Sequence, residues 1–229
     1  MLNVTELSSG YGQSMVIRNM NLAAKEAEIV ALMGRNGMGK TTLFKTLMGI
    51  LPSRSGGITI NGKEVGALPT HERVASGVAY VPQGRMMFPT LTVEENIKTG
   101  LKKGAGNKVP EEIYTLFPVL FEMRKRKAGN LSGGQQQQLA ISRALVTEPR
   151  VLLLDEPTEG IQPSIIKDIA KSLREIRKLK NLTILVSEQV LSFALDVADR
   201  LIVIDRGQLV HEVTADKADR ASVARYLSV

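Results

Sequence analysis

From Gly34 to Thr41 the chain reads Gly-Arg-Asn-Gly-Met-Gly-Lys-Thr. These residue types in this order suit the holding of a polyphosphate. Several negative charges need many N–H donors around them and little bulk. Gly37 and Gly39 admit backbone conformations closed to other residues and let the main chain approach an anion closely. Lys40 can reach the β- and γ-phosphates, the Thr41 hydroxyl can sit on Mg²⁺, and Thr42 adds a phosphate donor. The plain alternative is a glycine turn, and the flanking residues argue against it. The apolar run Ile29-Val30-Ala31-Leu32-Met33 reads as a buried strand before the loop, and Leu43, Phe44, Leu47 and Met48 mark one face of a helix after it. Strand, glycine-rich loop and helix form the context that makes such a P-loop credible. The helix aims its free N–H groups and positive dipole end at the loop.

Two further stretches carry chemistry. Asp155 and Glu156 end the apolar run Val151-Leu152-Leu153-Leu154. Ligands of an open α/β sheet bind at the carboxyl ends of its strands. Asp155 is placed there to hold Mg²⁺ through water, and Glu156 to take a proton from an attacking water. Two adjacent acids at the mouth of a buried strand are costly to desolvate unless a cation or a proton transfer uses them. The alternative for Asp155 is a helix cap. Leu131-Ser132-Gly133-Gly134-Gln135 is a serine-glycine turn opening a helix, either a plain N-cap or a second phosphate-binding end. One γ-phosphate needs only one such end, so a second implies a nucleotide shared with another chain.

The elements that must position these residues alternate along the chain. Strands are expected over Leu2–Leu7, Met15–Leu22, Gly56–Ile60 with an Asn61-Gly62 turn, Gly77–Pro82, Val151–Leu154 and Leu182–Val186. A hairpin closes Leu201–Val213 about Arg206-Gly207. Ser8–Gly12 reads as a turn that carries Tyr11. Helices are expected over Pro110–Phe117, Gln135–Glu148, Pro163–Leu179, Val190–Ala198 and Asp216–Leu227, with another starting at Val93 and a polar loop over residues 102–108. Strand signals vanish from Thr92 to Glu148, which suggests a helical subdomain inserted into an α/β core. Elsewhere the alternation implies a largely parallel sheet with helices on both faces.

Composition bounds the class. With 229 residues the chain can bury a substantial core. It has no cysteine and two histidines, which excludes a disulfide scaffold and a Cys/His zinc site and suits a reducing compartment. His71 and His211 are isolated and read as structural or surface residues. No apolar run approaches the ~20 residues of a membrane span, and the N-terminus lacks the pattern of a signal peptide. The net charge of +7 suggests an anionic partner, while aromatic residues at 4% argue against a base-stacking platform. Arg124-Lys125-Arg126-Lys127 reads as a solvated basic face, or alternatively as an attraction to anionic lipid. No G-x-S-x-G elbow is present for nucleophilic serine catalysis.

Taken in order, these motifs resemble the ATP-binding-cassette (ABC) nucleotide-binding subunits, and the resemblance covers essentially the whole chain. GRNGMGKT resembles the Walker A motif, VPQ the Q-loop, and VLLLDE the Walker B motif. LSGGQ is identical to the family signature. The resemblance implies an α/β P-loop NTPase (RecA-like) core with an N-terminal antiparallel β-subdomain and an inserted helical subdomain. Residues 1–91 and 149–229 would form the core and 92–148 the insertion, within one domain. It implies an ATPase with ATP and Mg²⁺ as cofactors. ATP would be held by Gly34, Arg35, Asn36, Gly37, Met38, Gly39, Lys40, Thr41, Thr42, Gln83 and Asp155. Tyr11 would stack on adenine and Val16 pack on the same ring. Thr41, Gln83 and, through water, Asp155 would serve Mg²⁺. Glu156 would be the general base, with Lys40 and Gln189 beside it. Ser132, Gly133, Gly134 and Gln135 would contact the γ-phosphate of a facing chain.

The implied partners are a second ATPase subunit, as a heterodimer or homodimer, two membrane permease subunits and a solute-binding protein, with no nucleic acid. The implied location is peripheral, on the cytoplasmic side of the inner membrane. Two positions depart from the wider family. Gln189 stands where a histidine is usual, and Gln162 where an aspartate is usual, which fits a mixed pair of subunits. Within the family, the glutamine run after LSGG and the segment GIQPSIIKDI are similar to the second ATP-binding subunit of urea importers. The first reading is therefore an ATP-hydrolysing urea-import subunit. The alternatives are its sibling class, branched-chain amino-acid import ATPases, and more remotely a nucleic-acid-associated cassette.

Overall fold

A computed structural model describes residues 1–102, 104 and 106–227. The polar loop expected over residues 102–108 falls partly on Lys103 and Ala105, which lie outside the described residues. Strands are numbered in chain order. An antiparallel sheet runs β2-β1-β4-β5, with β1 Leu2–Tyr11, β2 Ser14–Ala24, β4 Ser53–Ile60 and β5 Lys63–Glu64. The second sheet runs β10-β9-β3-β8-β7-β6, with β3 Ile29–Met33, β6 Val78–Val81, β7 Val151–Asp155, β8 Thr183–Glu188, β9 Arg200–Asp205 and β10 Gln208–Thr214. Its pairs are parallel except the hairpin of β9 with β10. The fold is therefore the mixed α/β P-loop architecture, with a separate antiparallel sheet at the N-terminus.

The central strands are buried along their whole length, as parallel strands covered on both faces must be. Alternation then divides their side chains. Ile29, Ala31 and Met33 face one core with Val93, Leu139, Ile169 and Phe193. Val30 and Leu32 face the other with Leu43, Phe44 and Leu47, which belong to α1 (Lys40–Leu47), and with Leu2, Val4, Ile17 and Ile58 of the antiparallel sheet. Thus α1 is held between two sheets, and each large apolar side chain buried there contributes about 1.5–3 kcal/mol. That anchoring fixes the end of α1 that follows the glycine loop.

Between β6 and β7 come α3 (Val93–Lys98), α4 (Glu111–Leu116), α5 (Pro118–Glu122) and α6 (Gly133–Leu145). After β7 come α7 (Pro163–Lys180), α8 (Leu191–Val197) and α9 (Arg220–Leu227). Among the described residues, no helix is long and apolar enough to cross a membrane.

Three local expectations change. The turn placed at Ser8–Gly12 is strand up to Tyr11. The Ser9 hydroxyl donates to the Pro52 carbonyl (2.9 Å) and accepts from Thr46 (2.8 Å), so these serines are satisfied inside the fold. Gly10 is needed because a Cβ there would meet the Ser14 carbonyl. The helix expected over Asp216–Leu227 is a short 3-10 turn followed by α9, which begins only at Arg220. The signature helix begins at Gly133 and ends at Leu145, before Glu148. Two short helices, α2 (Thr70–Ala75) and α5, had no periodic signal because neither reaches two full turns.

Candidate active site

The loop after β3 meets the geometric demands of an anion cradle. Gly37 has φ 81° and Gly39 φ 106°, a conformation that side chains rarely adopt. A Cβ on Gly39 would lie 2.8 Å from Ile17 Cδ1, and one on Gly34 2.7 Å from the Ile204 carbonyl. Gly39 caps α1 without any side-chain hydrogen bond, so the helix's first N–H groups stay available to a ligand. They face a pocket of about 290 Å³ lined by Asn36, Gly37, Gly39, Lys40, Thr41, Thr42, Gln83 and Glu156.

Glu156 is the centre of that pocket's polar network. Strand order β3-β8-β7 sets three carboxyl ends side by side, with Met33 opposite Glu188 and Asp155 opposite Ser187. Glu156 leaves β7 with φ 47°, a left-handed conformation costing on the order of 1–3 kcal/mol for a non-glycine residue. Its N–H donates to the Ser187 carbonyl (3.1 Å) and hydroxyl (3.2 Å), which holds the turn. Lys40 Nζ is 3.2 Å from Glu156 Oε1 and donates to the carbonyls of Gly34 (2.6 Å) and Arg35 (3.1 Å). Gln83 Nε2 donates to Glu156 Oε2 (3.2 Å). Gln189 Nε2 donates to Glu156 Oε1 (3.0 Å) and to Asn36 Oδ1 (2.7 Å). Three segments remote in sequence therefore converge on one carboxylate.

Asp155 lies deeper. Tyr80 donates to its Oδ2 (3.0 Å) and the Ser187 hydroxyl to its Oδ1 (2.5 Å). Burial, and then the Asp155 carboxylate, push the Tyr80 phenol far above its ordinary pKa, so it remains a donor. A carboxylate offers about four lone-pair sites, which leaves room for a water on each oxygen. Thr41, Gln83 and Asp155 supply oxygen donors alone, the chemistry that a hard ion such as Mg²⁺ accepts.

Several of the expected residues do not line this pocket: Gly34, Asp155 and Gln189 are not among its walls, and Arg35 and Met38 line a neighbouring cavity with Arg206 and Tyr226. Tyr11 is 47% exposed at the tip of the β1–β2 hairpin. Val16 lies nearer, its Cγ1 3.4 Å from where a Cβ of Gly39 would be. The signature turn is also elsewhere. Ser132 caps α6 by accepting from Gln135 N (3.4 Å), and Gln135 Oε1 accepts from Ser132 N (2.9 Å). A Cβ on Gly134 would lie 2.4 Å from Ile165, so glycine is what lets α6 pack on α7. The turn borders the loop after β7, with the Gly160 carbonyl 3.1 Å from a Cβ position on Gly133.

Sequence reasoning assigned no role to Tyr80, Arg85, Thr158, Ser187 or Glu188. Nothing in their spacing signals one, because each makes a contact that exists only once segments distant in sequence meet. Glu188 is buried, and accepts from the Thr158 hydroxyl (2.7 Å), Gln189 N (2.7 Å) and Val190 N (3.1 Å), which fixes the turn presenting Gln189. Burial pushes its carboxyl above the usual value of 4.5, the hydrogen bonds opposing this only in part. A raised carboxyl pKa favours the folded state below the unfolded pKa, and that contribution is lost as pH rises through the folded one. Denaturant melts of wild type and Glu188→Gln from acid to neutral pH are expected to show wild type losing stability relative to the variant. A pH-independent difference would remove the buried carboxyl as the cause.

Residues 17–159 match the ABC transporter family. The high-affinity branched-chain amino acid transport ATP-binding protein BraG of Pseudomonas aeruginosa is 39% identical over 213 residues, which cover 92% of this chain and 91% of BraG. A probable branched-chain amino acid transport ATP-binding protein of Archaeoglobus fulgidus, LivF, is 37% identical over 220 residues, covering 95% of this chain and 93% of its own. Among solved structures, a bacterial ABC transporter cassette in dimeric form superposes with a TM-score of 0.84 at 26% identity, covering 94% of this chain and 99% of that one. A post-hydrolysis dimer of an ATP-binding cassette with ADP and Pi superposes at 0.83 and 25% identity, with the same coverage of 94% and 99%. Likeness of this extent, on a chain whose own glycine loop and helix end form a polyphosphate pocket, makes the protein a member of the ABC transporter family and an ATP-binding ATPase of that type.

Proposed function

We propose that this ATPase drives the import of branched-chain amino acids, as one of two ATPase subunits docked beneath a pair of membrane permeases. A solute-binding protein would deliver the cargo, and the chain would sit peripherally on the cytoplasmic side of the inner membrane. The names of the two relatives above support this solute class. They support it better than urea, the first reading of the sequence text.

One observation carries the paired arrangement. The chain has two glycine-rich helix N-termini of the kind that suits an anion, and Ser132–Gln135 is not among the residues lining its own P-loop pocket. A second subunit can bring its signature turn over this P-loop and offer its own P-loop in return. Within each composite pocket Lys40 holds the β- and γ-phosphates, and the N–H groups from Gly37 to Thr42 cradle them. Thr41, Gln83 and, through water, Asp155 hold Mg²⁺, which when bound neutralises phosphate charge. Tyr11 and Val16 face the base. Glu156 takes the proton of the attacking water, and Gln189 orients Glu156 while donating toward the γ-phosphate. Incoming phosphate competes with Glu156 for Lys40, which frees the carboxylate to act as a base. Gln189 cannot become cationic, and Gln162 replaces the usual aspartate. Both suit a partner subunit that contributes the more standard site. Residues 92–148 form the lever, and the exposed side chains of Met86 and Phe88, just beyond Gln83, give the permease a surface next to the nucleotide sensor.

The test is the complex purified with its permeases and reconstituted in vesicles. ATP turnover is expected to rise several-fold with binding protein loaded with leucine, isoleucine or valine, and to ignore urea. Stimulation by urea alone would restore the first reading. Recovery with nucleic acid in place of membranes, abolished by nuclease, would replace transport altogether.

A further inference from the structure

Arg85 takes no part in the chemistry above, yet it touches two of the segments that carry it and is joined to a third. Its Nη2 donates to the Glu159 carbonyl in the loop after β7 (2.6 Å), and its Nη1 to Gln136 Oε1 in the first turn of α6 (3.4 Å). Both Nη atoms lie 3.5 Å from where a Cβ of Gly133 would be, so the guanidinium lies against the signature turn. Arg85 is joined through Gly84 to Gln83, which bonds Glu156.

The backbone around Arg85 is held as deliberately as its side chain. Arg85 and Met86 have φ 64° and 43°, two successive non-glycine residues in the left-handed region. Arg143, from α6, donates to the carbonyls of both, at 3.2 and 2.8 Å. So α6 grips this segment by Arg143, and the segment grips α6 by Arg85. Electrostatics shows that the arrangement does not serve the helix. A cation at a helix N-terminus opposes the dipole unless an anion is present. The guanidinium meets its two acceptors, a side chain and a main-chain carbonyl, from two separate nitrogens held in one rigid plane, whereas an ammonium offers all its donors from a single flexible atom.

We propose that Arg85 is a positioning residue. It locks the signature turn Ser132–Gln135 to the loop after β7 and to Gln83, so that the phosphate-binding end of α6 keeps one placement relative to Glu156. Its purpose rests on the composite-pocket reading, since a rigid signature turn matters only if a facing nucleotide is to meet it.

The experiment compares the full chain with Arg85→Ala, Arg85→Lys and Gln136→Leu. In nucleotide-free Arg85→Ala, amide exchange over residues 132–136 is expected to quicken by about tenfold or more. Because Arg85 does not line the P-loop pocket, ATP affinity should stay within about twofold of wild type. In the assembled transporter kcat should fall by about tenfold with KM little changed, and Arg85→Lys should recover only part of it. Unchanged exchange over residues 132–136 would overturn the proposal. So would a parallel loss of ATP affinity and kcat, which is what general structural damage would give. If Arg85→Ala does not fold, Arg85→Lys and Gln136→Leu report the same exchange. Because exchange is read without nucleotide, it is independent of the active-site reading. Quickened exchange beside full turnover in Glu156→Gln would sink that reading and leave the positioning role standing.

Discussion

Glu156→Gln is expected to lower steady-state ATP turnover by about 10²- to 10⁴-fold, the usual worth of a positioned general base. The substitution conserves shape. Its amide oxygen can still accept from Lys40 and Gln189, now 3.2 and 3.0 Å from Oε1, and the Gln83 amide can turn to meet the new NH₂. What disappears is the basic oxygen and one negative charge beside the γ-phosphate. ATP affinity should therefore hold or rise, and the ATP-bound pair of subunits should accumulate because it cannot discharge. Phosphate release and light scattering measure the two effects. Retained turnover would remove Glu156 from its proposed role, and lost turnover with lost ATP binding would mean that the pocket had collapsed.

How far this site could be read from the chain follows from what kind of signal each residue leaves. Gly37, Gly39, Lys40 and Thr41 are legible because the whole device is local, a strand, a loop and a helix within one segment. Asp155 and Glu156 are legible because a fully buried run ends in two charges. The Lys40–Glu156–Gln83–Gln189 network is a product of strand order. It exists only once β8 lies between β3 and β7, and no spacing along the chain encodes that. Glu188 illustrates the same limit. Its place at the end of an apolar strand does not reveal the three hydrogen bonds that tie it to a turn. At the N-terminus the serines and glycine of β1 resemble a turn because their partners, Pro52, Thr46 and Asn19, are distant in sequence. Solute class is illegible for another reason. The residues lining the pocket are of the types that suit phosphate, and none of them carries information on a solute.

Lys40→Met should invert the pattern of Glu156→Gln. Methionine fills much of the same unbranched volume and removes the cation. A hydrogen bond to a charged group is worth about 1.5–3 kcal/mol, and about 1.4 kcal/mol is tenfold in affinity. ATP binding should weaken by about ten- to a hundred-fold, with turnover falling at least as far. Protein stability should change less than the burial of this ion pair suggests. Lys40 is 4% and Glu156 9% exposed, and stripping one partner from such a pair ordinarily strands the other. Here neither is stranded, because Gln83 and Gln189 still donate to Glu156, just as the carbonyls of Gly34 and Arg35 still accept from Lys40 in Glu156→Gln. Equilibrium binding of a fluorescent ATP analogue, set beside thermal melts of the nucleotide-free chain, separates the two effects. Unweakened binding in Lys40→Met would show that the backbone cradle alone holds the phosphates and that Lys40 serves only to neutralise Glu156 until substrate arrives.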